Sequence, residues 1–142
     1  DASMSVVACL PEVVVSTRDA RGVVPESASM GDLVSTVGSA ATLVAGMHRD
    51  DPELVGRGLE EHVVTPRRSA LVDGYDGVKA AAAAAGATGV TISGAGPSVL
   101  AVCRERDQRA VAGAMVDAFD DAGVSARAYQ TEIGRGATVH RD

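Results

Sequence analysis

Apolar positions fall into runs of two different periods. Val6-Val7-Ala8-Cys9-Leu10 is continuous and of strand length; Pro11 stops it, and Val13-Val14-Val15 resumes it before Ser16-Thr17. Ser16 reads as the N-cap of a short turn of helix that runs through Arg21 and ends near Gly22 and Pro25. The period then becomes helical. Ser29 with Asp32 makes a capping-box-like start, and Met30, Leu33, Val34, Val37, Ala41, Val44 and Ala45 recur on one side as far as His48-Arg49. Asp51-Pro52 opens a second helix carrying Leu54, Val55 and Leu59. Thr65-Pro66 starts a third, with Leu71, Tyr75, Val78, Ala82 and Ala85 on one stripe and Gly86 as its stop.

The second half returns to strands. Thr88 to Ser93 and Ser98 to Cys103 are apolar runs on either side of the turn Gly94-Ala95-Gly96-Pro97, which makes them sequential strands. Asp107 is the expected cap of a helix bearing Val111, Met115, Ala118, Phe119 and Ala122, ended by Gly123. Ala126 to Ile133 alternates as a last strand with one wet face, and the Gly/Arg-rich remainder from Gly134 pairs weakly or frays. Strand, helices, two strands, helix, strand favours an α+β two-layer sandwich, a mainly antiparallel sheet with helices packed on one face, over a parallel doubly wound sheet. Residues 1–142 form one domain on a prior of roughly 100–200 residues per domain. A core strand so close to Asp1, with no initiator methionine, points to a fragment of something longer.

Composition sharpens this picture in three ways. The apolar fraction of 46% is mostly Ala and Val, with only Phe119, Tyr75 and Tyr129 aromatic, so the core is built of small and β-branched side chains. Thirteen basic against 19 acidic residues give a net charge of −6, which argues against a nucleic-acid or anionic-membrane surface. No apolar run approaches the roughly 20 residues of a membrane span, and no signal peptide follows Asp1, so a cytoplasmic location is expected. Cys9 and Cys103 sit in apolar strands and read as buried thiols of a reducing compartment. His48, His62 and His140 have no metal-ligand spacing.

The segment Ser93-Gly94-Ala95-Gly96-Pro97-Ser98 carries the clearest candidate chemistry. Its glycines let the backbone turn its N–H groups towards an anion, and the serines add hydroxyls. A tight hairpin connection uses the same residues for steric reasons alone. It is not a Walker loop, because no Gly-Lys-Ser/Thr follows, nor a dinucleotide fingerprint, because a strand comes next. Met30, Met47 and Met115 read as core filler, Glu60-Glu61-His62 as a solvated helix face, and Asp50-Asp51 and Asp120-Asp121 as helix ends.

As a string, Ser-Gly-x-Gly-Pro-Ser between two strands resembles the third, C-terminal motif of the GHMP small-molecule kinases. Two further stretches are similar to the homoserine kinases within that superfamily. Val13 to Pro25 resembles their strand-Ser-Thr-x-x-Ala-Arg-x-x-x-Pro element, and Pro66 to Tyr75 their Pro-x-Arg-x-x-Leu-x-x-Gly-aromatic helix start. Order and spacing match from about Val6 to Ile133.

The resemblance implies a GHMP C-terminal, substrate-side domain of an enzyme that phosphorylates L-homoserine to O-phosphohomoserine with ATP, on the route to threonine. It implies that Thr17, Arg21, Arg68 and Gly94 hold the substrate homoserine. Ser93, Gly94, Gly96, Pro97 and Ser98 would form the loop beside the transferred phosphoryl group. An Arg fork suits a ligand carboxylate, and at a helix start Arg68 gains nothing from the helix dipole. The bland alternatives are a helix C-terminal charge for Arg21 and a surface salt bridge from Arg68 to Glu60 or Glu61. The family's Pro-x-x-x-Gly-Leu-Gly-Ser-Ser loop is not in this sequence. ATP and Mg are therefore expected on an N-terminal domain, the expected partner together with a homodimer. The fragment alone is expected to be inactive, with no catalytic residue or metal ligand of its own. The alternatives are another GHMP kinase, of the shikimate or mevalonate type, or a non-catalytic amino-acid-binding or dimerisation module.

A single lysine, Lys79, against twelve Asp gives a halophile-like composition in which carboxylates hold hydration. The melting temperature is expected to rise as KCl is raised towards molar levels; a thermal scan showing it fall overturns this.

Overall fold

The computed structural model describes residues 4–134 and 136–139; Asp1 and His140 lie outside the described residues, as does Arg135 in the terminal Gly/Arg stretch. Strand alternation decides how its layers form. Along β1 (Met4–Pro11), Val7 and Cys9 face one side of the sheet and Met4 and Val6 the other. β3 (Val99–Arg104) repeats the division, with Val99, Ala101 and Cys103 opposite in direction to Leu100 and Val102. The two pair antiparallel, Val7 against Ala101 and Cys9 against Val99. β2 (Ala87–Ile92) and β4 (Ala126–Glu132) complete an antiparallel sheet in the order β2-β3-β1-β4.

The expected α+β architecture is present. α5 (Tyr75–Ala84) and α6 (Gln108–Asp121) form the helical layer on one face, where Val78, Ala82, Val111, Met115 and Phe119 close the main core. Burial of Phe119 and Met115 contributes about 2–3 kcal/mol each. Cys9 and Cys103 are free and buried in this core, where burial pushes both thiols up to about 11.

The opposite face is covered only in part. α3 (Pro52–Gly58), capped by the Asp51 carboxylate, packs Val55 against Met4 and Val102. It approaches β2 so closely that a Cβ on Gly56 would lie 2.0 Å from the Thr88 carbonyl oxygen. α2 (Met30–Arg49) lies on α3, where a Cβ on Gly46 would sit 2.6 Å from Val55 N and one on Gly58 2.4 Å from Leu43 N. The Ser29–Asp32 capping box forms with both bonds at 3.0 Å, and the accepted N–H of Ser29 holds the Asp32 carboxyl below its usual range.

Five expectations need correcting. Val13–Val15 is not a strand: Pro11 ends β1, the Glu12 N–H turns to Ser125 O (2.7 Å), and the chain leaves the sheet. The helix expected from Thr65 to Ala85 is two, α4 (Thr65–Ser69) and α5, because Gly74 takes φ +84° between them. Asp107 makes no side-chain cap; it ends a 3-10 turn, Glu105–Asp107, that leads into α6. Met30 and Met47 are exposed, and only Met115 is core. Finally, α2 is long and apolar enough to cross a membrane by length and composition alone, its most apolar 18 residues averaging 1.2 in hydropathy, although Asp32, Ser35, Thr36, Ser39 and Thr42 interrupt the run.

Gly56→Ala must push α3 away from β2 and is expected to destabilise the protein by about 2–3 kcal/mol in denaturant unfolding. Gly113→Ala, on the open side of α6, should instead stabilise it by about 0.5–1 kcal/mol.

Candidate functional site

Arg68, in the last turn of α4, joins segments far apart in sequence. Its Nε donates to the carbonyl of Ala20 (3.2 Å) and its Nη1 to the carbonyl of Gly94 (3.0 Å). Ala20 is fully buried within α1 (Thr17–Gly22), so the first bond ends on anchored backbone. Two of the five guanidinium donors are thereby used, and the other three have no partner among the described residues. The alternative salt bridge from Arg68 to Glu60 or Glu61 does not form among the described residues. Nor is Arg68 at a helix start: α4 is only five residues long, and its last turn is the end that favours a cation.

α1, whose Ala20 carbonyl Arg68 holds, also carries the expected residues Thr17 and Arg21. Ser16 caps it as expected, its Oγ accepting from the Asp19 N–H at 3.0 Å. Thr17 is the first helical residue and Arg21 lies in the last turn; both are exposed, and Arg21 makes no ion pair among the described residues.

The β2–β3 turn is held by two backbone bonds, Ser93 N–H to Ser98 O (2.8 Å) and Gly96 N–H to Ser93 O (3.0 Å). Gly94 and Gly96 have φ of +59° and +88°, in the left-handed region that a side chain rarely adopts. Gly96 rests against Ile92, whereas a Cβ on Gly94 would meet nothing within 4 Å. Ser93 and Gly94 are exposed; Gly96, the cis Pro97 and Ser98 are half-buried. The turn thus holds its hairpin geometry and also presents backbone to the outside beside Arg68.

Glu60-Glu61-His62 is not the solvated helix face expected: α3 ends at Gly58, the three residues lie outside any helix, and the half-buried Glu61 holds α4 in place. The Glu61 carboxylate accepts the N–H groups of Val63 (2.8 Å), Val64 (2.7 Å) and Thr65 (2.5 Å), capping a helix that has no side-chain acceptor at Val64. Burial pushes the Glu61 carboxyl up, but these backbone donors outweigh it and hold it below the usual range. A carboxylate four residues before Thr65-Pro66 was the available signal; it falls outside the usual capping spacing. The neighbouring Arg67 donates to the Val63 carbonyl.

Cavities open on the Pro66 and Ser69 side of α4. One of about 440 Å³, walled by His62, Ser69, Tyr75, Asp76 and Lys79 among others, contains none of Thr17, Arg21, Arg68 or Gly94. Among the described residues no group of three or more His, Cys, Asp or Glu could hold a metal ion.

The sheet and the junction define a domain of the GHMP superfamily: the model of the family "GHMP kinases C terminal" matches residues 43–121, and the chain belongs to this family. Its individual relatives narrow the resemblance. It is 67% identical over 139 residues to a homoserine kinase of Halorubrum lacusprofundi, covering 98% of this chain and 47% of that protein. It is 66% identical over 139 residues to the homoserine kinase of Natronomonas pharaonis, again covering 98% of this chain and 48% of the relative. The crystal structure of homoserine kinase from Cytophaga hutchinsonii superposes with a TM-score of 0.88 at 35% identity, over 94% of this chain and 42% of that one. The chain spans about half the length of the curated relatives it matches.

Glu61→Gln is expected to cost about 1 kcal/mol at neutral pH, as the loss of an N-cap acceptor does. Because the folded-state pKa is lowered, the wild-type advantage is complete above the unfolded value of about 4.3 and shrinks as pH falls through the folded value. Unfolding free energies of both proteins measured against pH check this; a difference that grows in acid contradicts the cap.

Proposed function

We propose that this chain is the acceptor-binding part of a homoserine kinase, an enzyme that moves the γ-phosphoryl group of ATP to the side-chain hydroxyl of L-homoserine. The observation that carries the reading is the Arg68 junction, which gathers α1, α4 and the glycine turn at one guanidinium. The identity to homoserine kinases along nearly the whole chain supports it.

Each residue then has a physical task. Arg68, with three donors free of protein partners, and Arg21, without an ion pair, bind the amino-acid carboxylate; a charge-assisted bond contributes about 1.5–3 kcal/mol. The Thr17 hydroxyl orients the same substrate, and Gly94, with no side chain, lets it approach the turn. Ser93, Gly96, Pro97 and Ser98 hold that turn beside the phosphoryl group. Phosphoryl transfer is largely positioning and charge neutralisation, so holding the acceptor is itself a contribution to rate.

ATP, when bound, supplies the phosphoryl group and its magnesium the counter-charge. The described residues do not fit either: there is no metal-holding cluster, and the glycine loop of the family is not in this sequence. Both are assigned to the part of the relatives that this chain does not span, and the chain alone is expected to be inactive. A cytoplasmic role in threonine biosynthesis, at high salt, completes the proposal.

In the complete protein, Arg68→Ala should raise the KM for homoserine about 10- to 100-fold, the equivalent of one such bond, and leave the KM for ATP nearly unchanged. Steady-state kinetics with each substrate varied in turn tests this. An unchanged homoserine KM overturns the carboxylate role.

A further inference from the structure

α4 has little of its own to hold it. It is five residues long, well below the roughly 12–15 at which a helix becomes marginal by itself, and none of the five is buried. Val64, at its N-cap, offers no side-chain acceptor. Yet Arg68, in the last turn, holds its guanidinium 3.2 Å from the Ala20 carbonyl and 3.0 Å from that of Gly94. A group outside the helix has to fix its course.

The backbone donors of the helix start identify that group. The N–H groups of Val63, Val64 and Thr65 all end on the Glu61 carboxylate, at 2.8, 2.7 and 2.5 Å, and Pro66 has no N–H to place. The next two, from Arg67 and Arg68, both end on the Val64 carbonyl, at 3.1 and 3.0 Å. Val64 is therefore a link: Glu61 holds its N–H, and its carbonyl holds the N–H of Arg68. Two hydrogen bonds through one residue join the carboxylate to the arginine that carries the site.

No shorter route exists among the described residues, where Glu61 and Arg68 form no ion pair. The carboxylate thus fixes the arginine without neutralising it. Both carboxylate oxygens are in use, Oε1 for Val63 and Oε2 for Val64 and Thr65. A neutral amide of the same shape has one accepting oxygen and would turn an NH2 group towards the remaining N–H.

We infer that Glu61 is a positioning residue of the acceptor site: its carboxylate, acting through Val64, sets where the Arg68 guanidinium stands and so sets the affinity for the substrate carboxylate. The inference rests on the proposed role of Arg68 and extends the site to a residue outside α1, α4 and the glycine turn.

The test is a double-mutant cycle between positions 61 and 68 in the complete protein, read as the KM for homoserine at a temperature below every unfolding midpoint. Glu61→Gln should raise that KM about 5-fold, the factor to which loss of one N-cap acceptor converts, with kcat and the KM for ATP nearly unchanged. In an Arg68→Ala background the same substitution should shift the homoserine KM by less than about 2-fold, because the group it positions is gone. If Glu61→Gln yields no folded protein, Glu61→Asp, charged but one methylene shorter, takes its place in the cycle with the same expectation. An unchanged homoserine KM in the single Glu61 variant, or equal effects with and without Arg68, overturns the inference and leaves Glu61 a cap of local stability only. An unchanged homoserine KM in the single Arg68 variant overturns the reading of Arg68 itself, and the inference with it.

Discussion

The bonds from Arg68 to the carbonyls of Ala20 and Gly94 are the constraint around which the candidate site is organised. Both acceptors are main-chain oxygens, so the guanidinium fixes backbone against backbone and tolerates changes in the neighbouring side chains. One acceptor belongs to a residue with no exposed surface and the other to an exposed turn. The outer, solvated end of the site is thereby referenced to the core. Arg68 is itself held from below, since the Glu61 carboxylate organises the first turn of the helix that carries it. Charge is used twice in a short stretch, once to cap and once to bridge. The two charges do not pair with one another, which leaves donors on Arg68 free.

The sheet that supports this arrangement has two unequal faces. One is closed by α5 and α6 over a core of valines, two thiols, Met115 and Phe119. The other admits α3 only because glycines face each other at Gly56 and Gly89, where a side chain on either would enter the opposing backbone. Close approach substitutes here for large side chains, which suits a chain almost without aromatics. α2 is laid on α3 by the same device at Gly46 and Gly58, and its outer face is consequently turned away from the sheet.

Much of the local backbone geometry around the candidate site was legible in the sequence, because it is set by short strings with a local mechanism. Ser16 and the Ser29–Asp32 pair declare helix starts, and glycines at 94 and 96 declare a backbone that must take positive φ. Glu61 was not legible, because its three donors become neighbours only once the chain has turned at His62–Val64. The break at Gly74 was hidden by a helical stripe that continues across it: Leu71, Tyr75 and Val78 keep the period although the backbone does not.

Period and caps, which depend on neighbours within four or five residues, determined which segments are strands and helices and where most of them begin. Composition determined that the core is built of small residues, and the order of elements that the sheet is mainly antiparallel. Which apolar faces are covered was decided by the tertiary structure alone. The stripe on α2 and the stripes on α5 and α6 have the same helical period, yet one is bare and the others are buried. A period records which residues share a side, and only the placement of one element against another settles what lies opposite that side.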